Sequence, residues 1–161
     1  MTEKLAKAVY TCVYVEPHKV LEAYKGLLEA GVKLPALPKG LEGVCCNHMT
    51  IKFRPTKDDV CKLPMGGAAD LEITGYAHDK DCIALRVKQV YGYPVPSDNE
   101  VPHITFWVSE GTPPYYSNEL LGAGVTEIEN PPRVSGRVGY CTGSDYKFDY
   151  EGSVYVHTST F

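Results

Sequence analysis

Several features that would assign a protein to a membrane or to a secretory route are missing from this sequence. It has no apolar run long enough to cross a bilayer, so no membrane-spanning segment is expected. Its first residues show no positively charged segment followed by an apolar one, so no secretory signal peptide is expected. These absences favour a reducing, cytoplasmic compartment.

The chain also lacks an excess of positive charge. Its 16 Lys and Arg residues are outnumbered by 20 Asp and Glu residues, which gives a formal net charge of -4. Proteins that follow the phosphates of a long nucleic acid depend on clustered Lys and Arg. Binding to an extended duplex is therefore not expected, whereas a small nucleotide or the end of an RNA requires only a few local cations.

Cysteine is present, but not in the pairs that bind zinc. No Cys-x-x-Cys pair occurs among the 6 cysteines, and the adjacent Cys45 and Cys46 face opposite ways if they lie on a strand. Several cysteines fall inside apolar strand patterns, where a free thiol behaves as a small hydrophobic side chain. Neither a metal nor another cofactor is expected.

The hydrophobic pattern predicts an α+β fold with about seven strands, in a single domain over residues 1–161. Residues 6–15 are rich in β-branched and aromatic side chains and predict a first strand. Pro17 can open a helix, and apolar residues at helical spacing continue to Gly31. Thr56 predicts the start of a second, short helix. Further strands are predicted at 44–54, 69–77, 81–90, 101–108, 133–141 and 153–160, a helix at 117–121, and a loop or strand edge at 145–151.

One short pattern occurs twice, in residues 48–53 (HMTIKF) and 103–108 (HITFWV). On a strand, a His and a Thr two positions apart point to one face and the apolar residues between them point to the other. Two such strands side by side would place two imidazoles and two hydroxyls around one pocket. Of the 5 histidines in the sequence, two carry this pattern.

Paired imidazoles and hydroxyls suit an attack on a phosphodiester. One of His48 and His103 can take a proton from water while the other donates a proton to the leaving oxygen, and Thr50 and Thr105 can bind the non-bridging oxygens. This chemistry predicts a bell-shaped pH dependence near neutrality. The two patterns are alike, so the sequence leaves open which histidine is the acid.

Two residues on the motif strands are candidates for substrate binding. Lys52 shares the face of the first motif and is a candidate phosphate cation, with a solvated strand lysine as the alternative. Trp107 shares the face of the second motif and can stack on a base or form a wall of the site, with a core aromatic as the alternative.

Tyrosines supply the remaining candidates. Tyr10 and Tyr14 lie on one face of the first predicted strand, and either can offer a hydroxyl if that strand borders the site. Tyr115 and Tyr116 follow two prolines in a predicted loop and are candidate platforms for a base, of which we select Tyr116. A purely structural role is the alternative for each tyrosine.

The doubled His-x-Thr pattern resembles that of the two-histidine (2H) phosphoesterase superfamily, which includes LigT-like RNA cyclic phosphodiesterases. Within it, the sequence is similar to the cyclic phosphodiesterase domain of plant and fungal-type tRNA ligases. The likeness extends from about His48 to Gly136. Its most specific parts are residues 99–107 (NEVPHITFW), 110–111 (EG) and 129–136 (ENPPRVSG).

The resemblance implies a bilobal fold, with two antiparallel sheets, a pseudo-two-fold central groove and one main N-terminal helix. It also implies metal-independent hydrolysis of 2',3'-cyclic phosphate ends of RNA or nucleotides, with His48 and His103 as the acid/base pair and Thr50 and Thr105 on the phosphate. The ligase and kinase domains of tRNA ligases have no counterpart in this sequence, so the chain is expected to be either a free-standing enzyme or a domain cut out of a larger one. Met1 and a complete-looking first strand favour the free-standing enzyme.

Two other functions stay open at this point. Small phage members of the superfamily cleave 3',5'-linked cyclic oligonucleotides that act as immune signals, and they resemble this chain in size. A protein of a different class, a non-catalytic module that binds nucleotides or RNA, would keep the same fold. The oligomeric state is not predicted.

Overall fold

The computed structural model describes residues 6–37, 44–143, 145–148 and 154–156. The strands in these residues are β1 (Ala6–Ala8), β2 (Tyr10–Val15), β3 (His48–Phe53), β4 (Ala69–His78), β5 (Cys82–Gly92), β6 (His103–Val108), β7 (Thr126–Glu127), β8 (Arg133–Val134), β9 (Gly136–Cys141), β10 (Tyr146–Lys147) and β11 (Val154–Val156). The helices are α1 (Pro17–Glu29), α2 (Lys57–Cys61) and α3 (Tyr116–Gly122). Of the strand predicted at 153–160, only β11 lies within the described residues.

The large sheet is antiparallel, and the fold is of the α+β class. Its strands lie in the order β10-β9-β2-β3-β6-β5-β4-β7, and β8 also pairs with β4. β8 and β9 follow each other directly, so residues 133–141 pair first with β4 and then with β2. An isolated bridge between Ala68 and Arg137 supports this connection. Residues 133–141 therefore complete a hydrogen-bonded circuit through β2, β3, β6, β5 and β4.

Helix α1 covers one face of the sheet. It begins at Pro17, because the first helical position has no intrahelical hydrogen bond for the missing N–H of proline to lose. It ends at Glu29, and Gly31 then adopts a positive φ of 89°. Tyr24 is buried and its ring stacks on Phe106 of β6, with 4.1 Å between the ring centres. This contact anchors α1 to the apolar face of the second motif strand. None of the helices in the described residues has the length and apolarity to span a membrane.

The two motif strands are neighbours in the sheet. Met49 of β3 pairs with Ile104 of β6, and both side chains are buried in the core. In an antiparallel pair, the residues that flank such a position face each other on the opposite side of the sheet. The register therefore sets His48 beside Thr105, and Thr50 beside His103.

Candidate active site

A single cavity of about 480 Å³ is lined by His48, Thr50, His103 and Thr105. Strand parity predicts that each His shares a face with its Thr, and the pairing of β3 with β6 brings the two faces together. The two imidazoles are close enough that His103 influences the protonation of His48. The cavity thus combines two ring nitrogens with two hydroxyl groups.

His48 is held by a hydrogen bond from its Nδ1 atom. The Oδ1 atom of Asn47 lies 2.7 Å from Nδ1. An amide oxygen only accepts hydrogen bonds, so Nδ1 carries the hydrogen and Nε2 keeps a lone pair. Within the described part of the chain, Nε2 has no hydrogen-bond partner. Burial, and then the nearby His103, lowers the pKa of His48 to about 4, so the ring is neutral at pH 7.

Two tyrosines support this arrangement of His48. The ring of Tyr10 stacks on the imidazole with 4.6 Å between centres, and its hydroxyl lies 2.6 Å from the hydroxyl of Tyr146. The Tyr146 hydroxyl lies 3.3 Å from both Asn47 Oδ1 and His48 Nδ1. Burial and the bond to Tyr146 raise the pKa of Tyr10, and burial raises the pKa of Tyr146 to about 12. Both phenols are neutral and orient the ring rather than titrate with it.

His103 is more deeply enclosed than His48, with 7% of its surface exposed. Its Nδ1 atom lies 2.8 Å from the carbonyl oxygen of Val101, so Nδ1 carries a hydrogen and donates it. Its Nε2 atom lies 2.9 Å from the hydroxyl of Ser117, at the start of α3. Burial lowers the pKa of His103, and the bond to the Val101 carbonyl offsets part of that effect.

The predicted binding residues are only partly brought together. Tyr10 lines the cavity, whereas the other four candidates are not among its lining residues. Lys52 forms an ion pair with Asp98 at 3.2 Å. The lysine charge predicted to bind the substrate phosphate is therefore compensated by a carboxylate. Trp107 is partly buried and packs against the main hydrophobic core.

The two other tyrosines also make contacts of a structural kind. The ring of Tyr14 lies 4.8 Å from the ring of Tyr146, and Tyr14 pairs with His48 in the register of β2 and β3 without lining the cavity. The hydroxyl of Tyr116 donates to the carboxylate of Asp79, and this bond raises the pKa of Tyr116 to about 12. The adjacent Tyr115, rather than Tyr116, lines the cavity.

Two exposed aromatic side chains border the cavity. Phe53 at the end of β3 is 59% exposed, and Tyr115 before α3 is 70% exposed. Asn99 and Asn118 add amide groups to the lining, and no Lys or Arg is among the lining residues given by the described chain. An anion in this cavity would be bound by hydroxyls, amides and a protonated imidazole.

Three contributors to the site escape sequence reasoning. Phe53 is the last residue of β3 and has the opposite strand parity from His48, yet it lines the cavity. Tyr146 belongs to a two-residue strand in a segment of mixed charge, and nothing local marks it. Ser117 lies in a predicted short helix, where a serine at the start is typical of a capping residue.

A scan against models of protein families finds no match to this sequence, and a comparison with curated proteins finds none either.

Proposed function

We propose that this protein is a metal-independent phosphodiesterase of the two-histidine type that hydrolyses 2',3'-cyclic phosphate ends of RNA or nucleotides. The observation that carries the proposal is the cavity into which His48, Thr50, His103 and Thr105 converge. General acid/base catalysis by two positioned imidazoles needs both rings at one phosphorus. Two hydroxyls on the same cavity can stabilise the charge that develops on the non-bridging oxygens.

The bilobal fold of the 2H superfamily is part of this proposal. The pairing of Met49 with Ile104 has a local two-fold axis, as does any antiparallel pair. Rotation about that axis exchanges His48 with His103 and Thr50 with Thr105. This local symmetry supports a pseudo-two-fold groove, although all the motif strands belong to one hydrogen-bonded sheet.

The two histidines differ in a way that suggests their roles. His48 fits the base, because its Nε2 lone pair is unoccupied within the described residues and its pKa is lowered to about 4. His103 fits the acid, because an imidazolium requires an acceptor at each nitrogen and oxygens of Val101 and Ser117 lie next to both.

In the proposed reaction, His48 takes a proton from water as the water oxygen bonds to phosphorus. The bond from phosphorus to one ribose oxygen breaks, and His103 supplies the proton for that oxygen through the Ser117 and Thr105 hydroxyls, because its Nε2 atom faces Ser117. The product is a ribose hydroxyl next to a phosphate monoester. A proton is then returned from His48 to His103 through solvent, so the enzyme is unchanged.

A second candidate activity is hydrolysis of 3',5'-linked cyclic oligonucleotides by the same groups. The exposed rings of Phe53 and Tyr115 favour this candidate, because they offer two stacking surfaces next to one cavity. Stacking of a base on an aromatic side chain contributes about 1–3 kcal/mol. A ring of nucleotides presents more than one base at once and would use both surfaces.

A direct comparison of substrates tests the proposal. With excess EDTA, we expect an RNA oligonucleotide with a 2',3'-cyclic phosphate end to be converted to a phosphate monoester. Chromatography or mass spectrometry measures this conversion. Turnover restricted to 3',5'-linked cyclic di- or trinucleotides would support the second candidate, with Tyr115→Ala raising KM by about 5- to 150-fold through lost stacking. Binding without turnover of any cyclic phosphate would contradict both and favour a non-catalytic binding module.

The pH dependence should be displaced from neutrality. Activity needs one neutral and one protonated imidazole ring. The pH profile of kcat/KM is therefore bell-shaped, with its maximum between the two pKa values of the interacting histidine pair in the free protein. Burial lowers both values, that of His48 to about 4. We expect the maximum of kcat/KM below pH 6.5, and the kcat profile at higher pH because bound phosphate favours an imidazolium. A kcat/KM maximum above pH 7.5 would show that the rings are not buried as described.

A further inference from the structure

Ser117 joins the two parts of the second motif, although no motif contains it. Its side chain is completely buried. Its hydroxyl oxygen lies 2.9 Å from His103 Nε2, 2.9 Å from Thr105 Oγ1 and 2.8 Å from the carbonyl oxygen of Pro114. One hydroxyl hydrogen cannot be donated to all three neighbours, so the hydrogen-bond pattern depends on what each neighbour can donate.

Counting hydrogens gives two complete patterns. When His103 is neutral, its single hydrogen is on Nδ1 and Nε2 must accept, so Ser117 donates to Nε2. When His103 is an imidazolium, Nε2–H donates to Ser117 and the serine hydrogen turns to the Pro114 carbonyl. In both patterns, the Thr105 hydroxyl can donate to the Ser117 oxygen.

Neither pattern leaves a buried group without a partner. The Pro114 carbonyl also accepts the backbone N–H of Ser117 at 3.1 Å, so it stays bonded when the serine hydroxyl turns away. The Val101 carbonyl accepts from Nδ1 in both states. Unsatisfied buried polar groups are costly, and a residue that satisfies both states keeps both accessible.

We propose that Ser117 is a positioning residue for His103, and that its hydroxyl reverses direction each time the ring gains or loses a proton. The inference deepens the proposed function, in which His103 must pass through both protonation states in one turnover. Thr105 lines the cavity and bonds to Ser117, so the same network connects the buried ring nitrogen with the substrate-facing hydroxyl.

Other charged or titratable groups near His103 must be separated from this effect. They are His48 on β3, Arg86 opposite His103 on β5, Glu119 on α3 and Glu100 in the loop before β6. Arg86 forms an ion pair with Glu127, and the two other glutamates are exposed. Since substitution of Ser117 leaves all of these groups in place, a change in the titration of His103 reports the loss of the serine hydroxyl.

The test follows the side-chain nitrogens of His103 by NMR during a pH titration of ¹⁵N-histidine-labelled protein. In the unmodified protein, we expect the neutral ring to carry its hydrogen on Nδ1. In Ser117→Ala, we expect the midpoint of His103 to fall by about 0.5–1 pH unit, because the imidazolium loses a charge-assisted bond that is stronger than the neutral one. The corresponding limb of the kcat/KM profile should move the same way.

Two comparison variants make the result specific. Ser117→Thr restores a hydroxyl and should return the midpoint towards its original value. Thr11→Val removes another fully buried hydroxyl, which bonds to the Lys52 carbonyl at 3.4 Å, and should leave the midpoint of His103 unchanged. An unchanged midpoint in Ser117→Ala would overturn the inference.

If Ser117→Ala does not fold, the unmodified protein alone still tests the inference. A neutral His103 ring that carries its hydrogen on Nε2 in the NMR titration would overturn it. The titration uses no substrate. Its outcome is therefore independent of whether cyclic phosphates are hydrolysed, and failure of the proposed function would leave it standing.

Discussion

Replacing either motif histidine by glutamine should reduce turnover of a 2',3'-cyclic phosphate by a factor of about 10² to 10⁴, the usual contribution of a positioned acid or base. Glutamine keeps a polar side chain of similar reach in the place of His48 or His103, but it neither takes up nor releases a proton near neutral pH. The measurement is the rate of monoester formation with excess EDTA, at saturating substrate and at several pH values.

The matched control for this prediction is His18→Gln on α1. His18 is exposed and does not line the cavity, so its substitution should leave the rate unchanged. The double variant His48→Gln/His103→Gln should lose little more than the worse single variant, because groups that act as one unit are not additive. Thermal unfolding checks that each variant is folded. Full activity in either single variant would refute the assignment of that histidine.

The fold could be predicted from sequence where local pattern and tertiary pairing agree. Helix α1 starts at Pro17 as the pattern indicates, and the two motif strands, predicted at 44–54 and 101–108, form over His48–Phe53 and His103–Val108. The predicted strand 6–15 is instead divided into β1, which pairs with β11, and β2, which pairs with β3 and β9. Nothing in a run of β-branched residues marks such a change of partner, because the division is imposed by distant parts of the chain.

The site could be predicted only in part for a related reason. Parity correctly assigns His48 and Thr50 to one face, but a strand advances by about 3.3 Å per residue, so Lys52 lies well beyond the position of the histidine. There, Asp98 is within reach, and the lysine pairs with it. Residues such as Ser117 and Tyr146 touch the imidazoles from separate elements, and only the order of the strands and the placement of α3 bring them close.

Replacing Gly136 by alanine should lower the free energy of unfolding by about 3 kcal/mol, at the upper end of the usual cost of overpacking. Gly136 lies where residues 133–141 pass from β4 to β2, at the point that completes the circuit of strands. A Cβ atom there would meet the Val13 side chain at 2.6 Å, the Ala69 carbonyl oxygen at 2.8 Å and the Tyr14 carbonyl oxygen at 2.9 Å.

Relief of those contacts requires backbone movement, because two of the three are with carbonyl oxygens on strands that flank β9. β2 also carries Tyr10, which stacks on His48, so a displaced β2 should reduce activity as well as stability. The control is Gly26→Ala in α1, where the added Cβ meets nothing within 4 Å and should stabilise the helix by about 0.5–1 kcal/mol. Denaturant unfolding measures both variants, and a Gly136→Ala protein as stable as the unmodified one would disprove the tight closure of the sheet.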